Sequence, residues 1–599
     1  MKRIMSILLT ITMLLGIALS LPLSASAATT DKVESGFTYV DSYGTWTYDV
    51  INDSTEARIR YYKGTETQIE IPKRIPHMQL DKKIYLPVVE IGNPIDTDDV
   101  GAPVFQQVYD TLTKVAIPDT VRVIGGSAFY GCIYLKEVSM PKALGIIGDS
   151  AFSGCQSLTS ITLPSGLKTI SREVFLGCSA LTNVTIPNSV ETIGEFAFSS
   201  CRAFTDITIP NSVTTIGECA FYNCTALTSI TLPNNIKTIP SWMFSNCFAL
   251  TDVTIPEGVT SIGAVAFSGC RALTSIIIPD KVTTIGNNAF NSCNSLTSVT
   301  LPDSLTTIDT RAFYSCIILT DITLPDSLTT IGDEAFSYCY KVTDITIPDN
   351  VTTIGNGAFY SCSSLTSITI SDSVTAIPHN IFAKCSALTS ITIPDSVTSI
   401  GVRAFQHCGR LTSVTIPDGV KNIGQWAFEG CGISTVKLPD SLTTIEYGTF
   451  KNSRLTSITI PNGVTTIAED AFYSCRLLTS ITIPSSVKTI GNQAFLDCSK
   501  LSDVYYTGSE DDWNDISIGS IHNKYLTNAK IHYNYGKPLA GDVSGDGEVA
   551  VNDVIYVLKH LVGNAELTEE QIALADLSGD GKLTVLDAIL IQRLILEVA

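Results

Sequence analysis

Basic residues are scarce in this chain: 38 Lys and Arg stand against 58 Asp and Glu, for a net charge of −20. No basic cluster occurs beyond Lys2 and Arg3, which excludes the electrostatic footprint of a nucleic-acid-binding protein. A second long apolar run is also missing. After Ile4–Leu23 nothing is long enough to span a bilayer. That one run, preceded by Lys2 and Arg3 and followed by Ala25, Ser26 and Ala27, reads as a secretory signal peptide over 1–27, cut before Ala28. No Cys adjoins the cut to take a lipid and no sorting motif closes the chain, so attachment is expected through the tail. Gly and Pro are sparse outside turns, which argues against disorder. Histidine is rarer still. The six, His77, His379, His407, His522, His532 and His560, share no motif spacing. His407 adjoins Cys408, but neighbours on one coil point apart and every sister coil lacks the His. No nucleophile elbow, phosphate loop or zinc motif is present. A glycosidase pair of carboxylates leaves no spacing signature to read.

What the chain has is repetition. Fourteen cysteines from Cys132 to Cys431 recur every 23 residues, and 17 units run from Phe129 to Phe495. Two units are shortened to 22 residues, one with Ser453 in place of Cys. In the unit from Cys385 to His407, Leu388, Ile391 and Ile393 alternate inward on a strand, and Pro394 ends it because proline cannot donate to a ladder. Asp395 and Ser396 turn the chain, Val397 and Ile400 bring the apolar side back, and Ala404 with Phe405 sits on a short helix or helical turn. One coil cannot bury both sides of this ribbon, so coils must stack. The fold class is a repeat solenoid of parallel β strands with short helical turns, followed by a small all-α calcium-binding domain.

Stacked positions have parallel Cβ vectors one strand spacing apart, which suits a disulfide poorly. The Cys column is therefore expected to be free and buried. Cys219 alone is off register; it can bridge to Cys224 or stand as a surface thiol. Outward strand positions carry Thr162, Thr185, Thr208, Thr231, Thr254, Ile277, Thr300, Thr323, Thr346, Thr369, Thr392 and Thr415, with Ser, Asp or Asn two residues before each. Thr suits an exposed strand and its hydroxyls can bond along the stack. The alternative is a flat hydroxyl-and-carboxylate array for a repetitive ligand, against which stands the lack of aromatic platforms on that face.

The tail holds two calcium-loop patterns 34 residues apart. The first offers Asp542, Ser544 and Asp546, then Gly547 at the turn, a carbonyl at Glu548 and Asp553 at position twelve. The second offers Asp576, Ser578, Asp580, Gly581, Lys582 and Asp587 in the same places. Alternate oxygens, one carbonyl and a closing carboxylate are what a hard calcium ion requires, so two ions are expected. Each loop runs into an apolar-periodic segment, as a loop feeding a helix does. The departures from the EF-hand pattern are Ser at position three and Asp at position twelve.

These duplicated loop–helix units, closed by Asp, resemble the type I dockerin, with Ser544 and Ser578 where that family has Asn and Ala550 where it has a polar residue. The resemblance implies a cohesin-bearing scaffold as partner. It also implies that the cohesin contacts are Val551, Asn552 and Lys559 in the first copy and Val585, Leu586 and Arg593 in the second. The Leu-x-x-Ile-x-Ile strand with its periodic Cys resembles leucine-rich repeats, and the Ile-Pro and Ala-Phe-x-x-Cys signatures are similar to the BspA-like bacterial surface family.

The expected organisation is a signal peptide (1–27), a β-rich N-terminal cap with an incomplete first repeat (28–114), the solenoid (115–505), a C-terminal cap around Trp513 (506–537) and the dockerin (538–599). The reading is a secreted, non-enzymatic binding or adhesion protein, extracellular or held at the cell surface by its scaffold, in a cellulosome-like, polysaccharide-degrading context. Polysaccharide or a cell-surface ligand is the expected occupant of the solenoid. The rivals are a glycoside-hydrolase-type subunit, against which stands the lack of room for a catalytic domain, and a structural spacer.

Overall fold

The computed structural model describes residues 33–92, 103–536, 540–544 and 549–598. The signal peptide expected at 1–27, and Asp546, Gly547 and Glu548 of the first loop, lie outside the described residues. The chain divides into two compact units, Met1–Ser189 and Val190–Ala599.

In the first unit β1 (Glu34–Val40), β2 (Gly44–Ile51) and β3 (Glu56–Gly64) form an antiparallel meander. Trp46, Tyr48 and Val50 alternate inward along β2 and are buried, the period-two pattern of a strand with one face on a core. β4 (Gln68–Glu70) is followed by a hairpin of β5 (Arg74–Gln79) and β6 (Lys82–Ile91). Its two-residue tip, Leu80 and Asp81, takes φ of 46° and 61°. Left-handed residues at both positions match the twist of the flanking strands. The meander then hands over to parallel pairing: β6 pairs β3 on one side and Val123–Ile124 on the other, while β4 pairs Lys114–Ala116. Trp46, Tyr62 and Phe105 fill the space beneath, and Phe105 stacks on Phe129 at 4.8 Å.

The second unit shows why the repeat folds as it does. The strand read from Ser-Ile-Thr forms a parallel ladder, divided into sheets of two to four strands, in which residues of neighbouring coils pair 23 positions apart, such as Asp206↔Ser229 and Thr208↔Thr231. A second ladder, which the hydrophobic pattern alone does not separate from the first, runs through the Thr-Ile pairs: Thr238↔Ser261, Thr284↔Thr307 and Thr330↔Thr353. Between the second ladder and the Cys lies a turn. Arg403 and His407 bracket Ala404 and Phe405 with φ of 55° and 62°, and a left-handed residue stops a helix from propagating. The Phe rings of successive coils stack, with centroids 5.2 Å apart at Phe267–Phe290 and 6.1 Å at Phe221–Phe244. Each is buried, contributing about 1.5–3 kcal/mol by removal from water.

The cysteines close the same turn. All 17 are free and buried. From Cys155 onward the Sγ atoms of the column donate to the carbonyl of a Phe in the preceding coil in coil after coil, 3.3 Å for Cys247 to Phe221, 3.2 Å for Cys293 to Phe267 and 3.0 Å for Cys431 to Phe405. Burial pushes the thiols of Cys247, Cys293 and Cys362 up to about 12. Where Ser453 replaces Cys, its hydroxyl lies 3.2 Å from Cys475 Sγ. Cys219 fits neither alternative raised for it. It is free and only 9% exposed, on a left-handed turn position with φ of 56°.

Both ladders end at irregular strands. Lys530–His532 closes the first and Ser517–Ile518 the second. Ahead of both in the chain a short helix, Glu510–Asn514, is capped reciprocally by Ser509 and Asp512, and Trp513 packs edge-on against Tyr506 at 5.1 Å.

The tail of this unit contains three helices, Val551–Leu561, Glu569–Ala575 and Val585–Val598. Their core is small: Val543, Val557, Ala575, Ala588 and Ile591 are buried, with Val554, Leu561 and Ile595 packed against them.

Candidate functional site

The two loops of the tail are built by the same bonds, 34 residues apart. In the first, Asp553 Oδ1 accepts from Ser544 N (2.7 Å), its Oδ2 accepts from Ala550 N (2.7 Å), and Ser544 Oγ donates to Asp542 Oδ1 (3.2 Å). In the second, Asp587 Oδ1 accepts from Ser578 N (2.9 Å), its Oδ2 accepts from Thr584 N (2.8 Å), and Ser578 Oγ donates to Asp576 Oδ1 (3.1 Å). Asp576 also gathers the amides of Gly579 and Gly581, each at 2.8 Å. Those glycines adopt φ of 70° and 76°, which lets the loop curl round the carboxylate. Asp580 Oδ1 accepts from Lys582 N at 2.8 Å.

The loops differ at position nine. Thr584 Oγ1 adds a third bond to Asp587 (2.9 Å), which Ala550 cannot supply to Asp553. Burial raises the affinity of the Asp587 carboxyl for its proton, but the amides of Ser578 and Thr584 and the Thr584 hydroxyl outweigh it and hold the group below the ordinary carboxylate range.

Asp553 and Asp587 are fully buried, and among the described residues neither has a Lys, Arg or His side chain within ion-pair distance. Buried carboxylates are normally paired with a cation or a metal. Among the described residues no three His, Cys, Asp or Glu side chains converge as a metal cluster; Asp576, Asp580 and Asp587 turn their oxygens onto the loop's own amides. The donor set nonetheless fits a hard divalent cation: it is all oxygen, in alternate order, and closed by a buried carboxylate without a counter-cation.

All six residues expected to touch a partner are exposed: Val551, Asn552 and Lys559 on the first long helix, and Val585, Leu586 and Arg593 on the second. Val551 is 63% exposed and Val585 58%. Ile555 and Ile589 extend the two patches, an addition to the residues expected from the sequence. They stand one turn beyond Val551 and Val585, opposite the stripe of Val554, Val557 and Leu561 that faces the core. The i, i+4 spacing from each Val is the signal that points to them.

On the strand side the Thr column from Thr208 to Thr415 is exposed, as is Ile277. The Thr residues three positions earlier have a structural use: Thr228 Oγ1 donates to Thr205 O (2.8 Å), Thr297 to Thr274 O (3.0 Å) and Thr366 to Thr343 O (3.0 Å). These hydroxyls bond along the stack. His407 is exposed whereas Cys408 is buried, with its Sγ on Phe382 O, so the two do not form a catalytic dyad.

Comparison with known proteins places these features. A model of the BspA type leucine rich repeat region matches residues 98–204, 191–318, 260–388, 306–434 and 399–518, and a model of the dockerin type I domain matches residues 540–596. No curated protein matches. Among solved structures, a leucine-rich repeat protein from Bacteroides ovatus is 26% identical over 83% of this chain and 100% of its own, with a TM-score of 0.39. A leucine rich cell surface protein from Faecalibacterium prausnitzii is 28% identical over 81% of this chain and 98% of its own, with a TM-score of 0.32. The leucine rich repeat protein of T. pallidum is 30% identical over 38% of this chain and 87% of its own, with a TM-score of 0.28.

Proposed function

Because the chain belongs to the BspA-type leucine-rich repeat family and carries a dockerin type I domain, we propose that it is a secreted, non-enzymatic binding or adhesion subunit that docks onto a cohesin-bearing scaffold. The supporting observation is the pair of loop–helix units in the tail, alike in their loop bonds and each presenting an exposed apolar and basic patch. The setting is a cellulosome-like complex acting on polysaccharide, in which the solenoid supplies binding and the tail supplies attachment.

In this reading two calcium ions occupy the loops. Asp542, Ser544, Asp546, the Glu548 carbonyl and Asp553 would hold one; Asp576, Ser578, Asp580, the Lys582 carbonyl and Asp587 would hold the other. Bound calcium supplies positive charge that neutralises carboxylates otherwise repelling one another. The chain's own part is positional. Asp553 and Asp587 sit at the third residue of their helices and bond back to the amides of Ala550 and Thr584, so the closing carboxylate fixes where each helix starts. That start places Val551 and Asn552, or Val585 and Leu586, at the helix mouth, and Lys559 or Arg593 two turns on. The apolar pair buries against the partner while the basic residue pairs at the rim.

The test is capture of an immobilised cohesin panel by the full chain in calcium and in chelator. Calcium-dependent capture by at least one cohesin supports the proposal; no capture in calcium, or capture that chelator leaves unchanged, sinks it.

A further inference from the structure

On the strand face ring contacts among the described residues gather at the C-terminal cap, where Tyr505 meets His532 and Tyr535, whereas the turn side of the second unit carries ring pairs at Tyr222–Trp242 and Trp426–Tyr447 and a larger cluster between them. Tyr314, Tyr338 and Tyr360 come from three successive coils and meet edge to face, with centroids 5.2 Å (Tyr314–Tyr338) and 5.3 Å (Tyr338–Tyr360) apart. Two local departures from the repeat create this. The outer coils read Phe-Tyr-Ser-Cys, at Tyr314-Ser315 and Tyr360-Ser361, whereas the middle coil reads Phe-Ser-Tyr-Cys, at Ser337-Tyr338. The exchange moves the middle ring one column across, so that it interleaves between its neighbours, and buried Ser337 leaves the space for it. The second departure is Gly357. The same turn position holds Arg311, Glu334, Asn380 and Arg403 in nearby coils, at φ of 55°, 53°, 56° and 55°, and Gly357 keeps φ of 62°. A side chain is missing where the stack otherwise provides one, and the result is a recess of about 320 Å³ beside the three rings.

The chemistry of the recess selects among ligands. Its wall is aromatic on one side and polar on the other, with Arg311, Glu334, Asn356 and Asn380. Arg311 is already paired with Glu334 at 2.7 Å and lies over the Tyr314 ring at 5.5 Å. Lys384 lies over the Tyr360 ring at 5.1 Å. A cationic ligand therefore meets two resident cations on the rings it would need. An anion meets an arginine whose charge Glu334 already balances. A purely apolar ligand would strand the Asn amides and the ion pair. What remains is a neutral ring with an apolar C–H face for the tyrosines and hydroxyls for the asparagines, at a volume near the lower end for small-molecule sites, ~300 Å³.

We propose that the Tyr314–Tyr338–Tyr360 recess over Gly357 binds a neutral saccharide ring, so that ligand is held on the turn side of the solenoid and not on its threonine face. This rests on the reading of the solenoid as a binding module, and is independent of the docking tail. Exposed Tyr340, 6.1 Å from Tyr338, extends the platform for a neighbouring sugar of the same chain.

The repeat itself supplies clean variants. Tyr338→Ser installs the residue that Ser315 and Ser361 hold at the same column with φ of 61° and 59°. Gly357→Arg installs the residue of Arg311 and Arg403 and fills the recess. The Cβ it adds meets Glu334 Cγ at 3.3 Å, the middle of a side chain that can shift. The experiment is native affinity electrophoresis of the full chain in gels containing xylan, hydroxyethyl cellulose, galactomannan or glycol chitin. Thermal unfolding and calcium-dependent cohesin capture are measured on the same samples. The proposal expects retardation by at least one polysaccharide, weakened roughly tenfold or more by each variant at unchanged unfolding temperature. It is overturned if none of the four retards the wild type, or if retardation survives both variants. Cohesin capture is untouched by the variants in either case, so failure here and failure of the docking reading are told apart.

Discussion

The solenoid and the tail both arise from duplication, and they spend it in opposite directions. In the solenoid each copy is buried by the next: Phe267 stacks on Phe290 and Cys293 Sγ caps the Phe267 carbonyl, so repetition turns inward and produces stability. In the tail the two copies bury only a handful of small apolar residues between them, and what they repeat is turned outward, Val551 with Lys559 and Val585 with Arg593. A repeat that stacks builds its own core; a repeat of two with so small a core needs a staple. The lesson is that periodicity alone does not say whether a repeated residue is there for packing or for recognition. Its exposure decides.

The sharpest way to break this comparison is to remove calcium. Hydrogen exchange on the full chain in chelator is expected to show complete loss of protection over Val551–Leu561 and Val585–Val598, with the Phe column unaffected and cohesin capture lost. Retained protection in those helices would mean that the small core suffices without an ion.

A smaller but substantial effect is expected from Phe290→Ala, which removes one ring from a buried stack and should cost about 3–5 kcal/mol. Because interfaces in a solenoid are nearest-neighbour, proteolysis should then nick the coils flanking residue 290 and spare the tail. Uniform sensitivity along the chain would contradict the additive picture.

Titration of the thiols comes next. In the folded chain Cys247, Cys293 and Cys362 stay protonated up to about 12, against an ordinary value of 9.0. A folded-state pKa raised for an acid means that the unfolded chain ionises first, so stability holds below pH 9.0 and falls as pH rises from there towards 12. Denaturant midpoints followed by tyrosine and tryptophan fluorescence should decline across that window. Thiol reagent at neutral pH should label few cysteines before unfolding and most of the 17 after it. Mass spectra with coil-to-coil disulfides would refute the free column.

The finest test sharpens the tail's internal symmetry. Val551 matches Val585 and Lys559 matches Arg593, whereas Asn552 faces Leu586 across the copies. Two orientations on a cohesin, related by rotation, are expected, separated by about tenfold in affinity, or ~1.4 kcal/mol. Calorimetry on the Val551/Asn552/Lys559 and Val585/Leu586/Arg593 triple alanine variants should find unequal weakening in both. Complete loss from either one alone would leave a single orientation.

Much of this architecture is legible in the residues alone. The 23-residue Cys period places the strand, the Pro that ends it and the free thiol column, because a stacking period constrains every position at once. The second ladder escapes because Thr-Ile is only two residues long, too short for alternation to register. The thiol-to-carbonyl bond escapes because it requires the direction of a backbone carbonyl in the neighbouring coil. The tyrosine recess escapes for a related reason: Ser337-Tyr338 differs from Tyr314-Ser315 by an exchange that changes no composition and acts only once coils are superposed. In the tail the loop residues are readable from spacing and the outward pair Ile555 and Ile589 is not, since an apolar residue on an amphipathic segment is read as core until its partner stripe is located.

The register in which each residue pairs with the one 23 positions on carries a consequence for inheritance. Every internal coil offers its successor the same Phe carbonyl, the same ladder edges and the same ring face. Recombination between two such blocks of coding sequence that adds or deletes a whole unit yields a chain in which each carbonyl still finds its thiol and each ring its neighbour. Length is thus a nearly free variable for this protein. The signature at Ser337, Tyr338 and Gly357 is not, because a unit inserted among those three coils would part the rings.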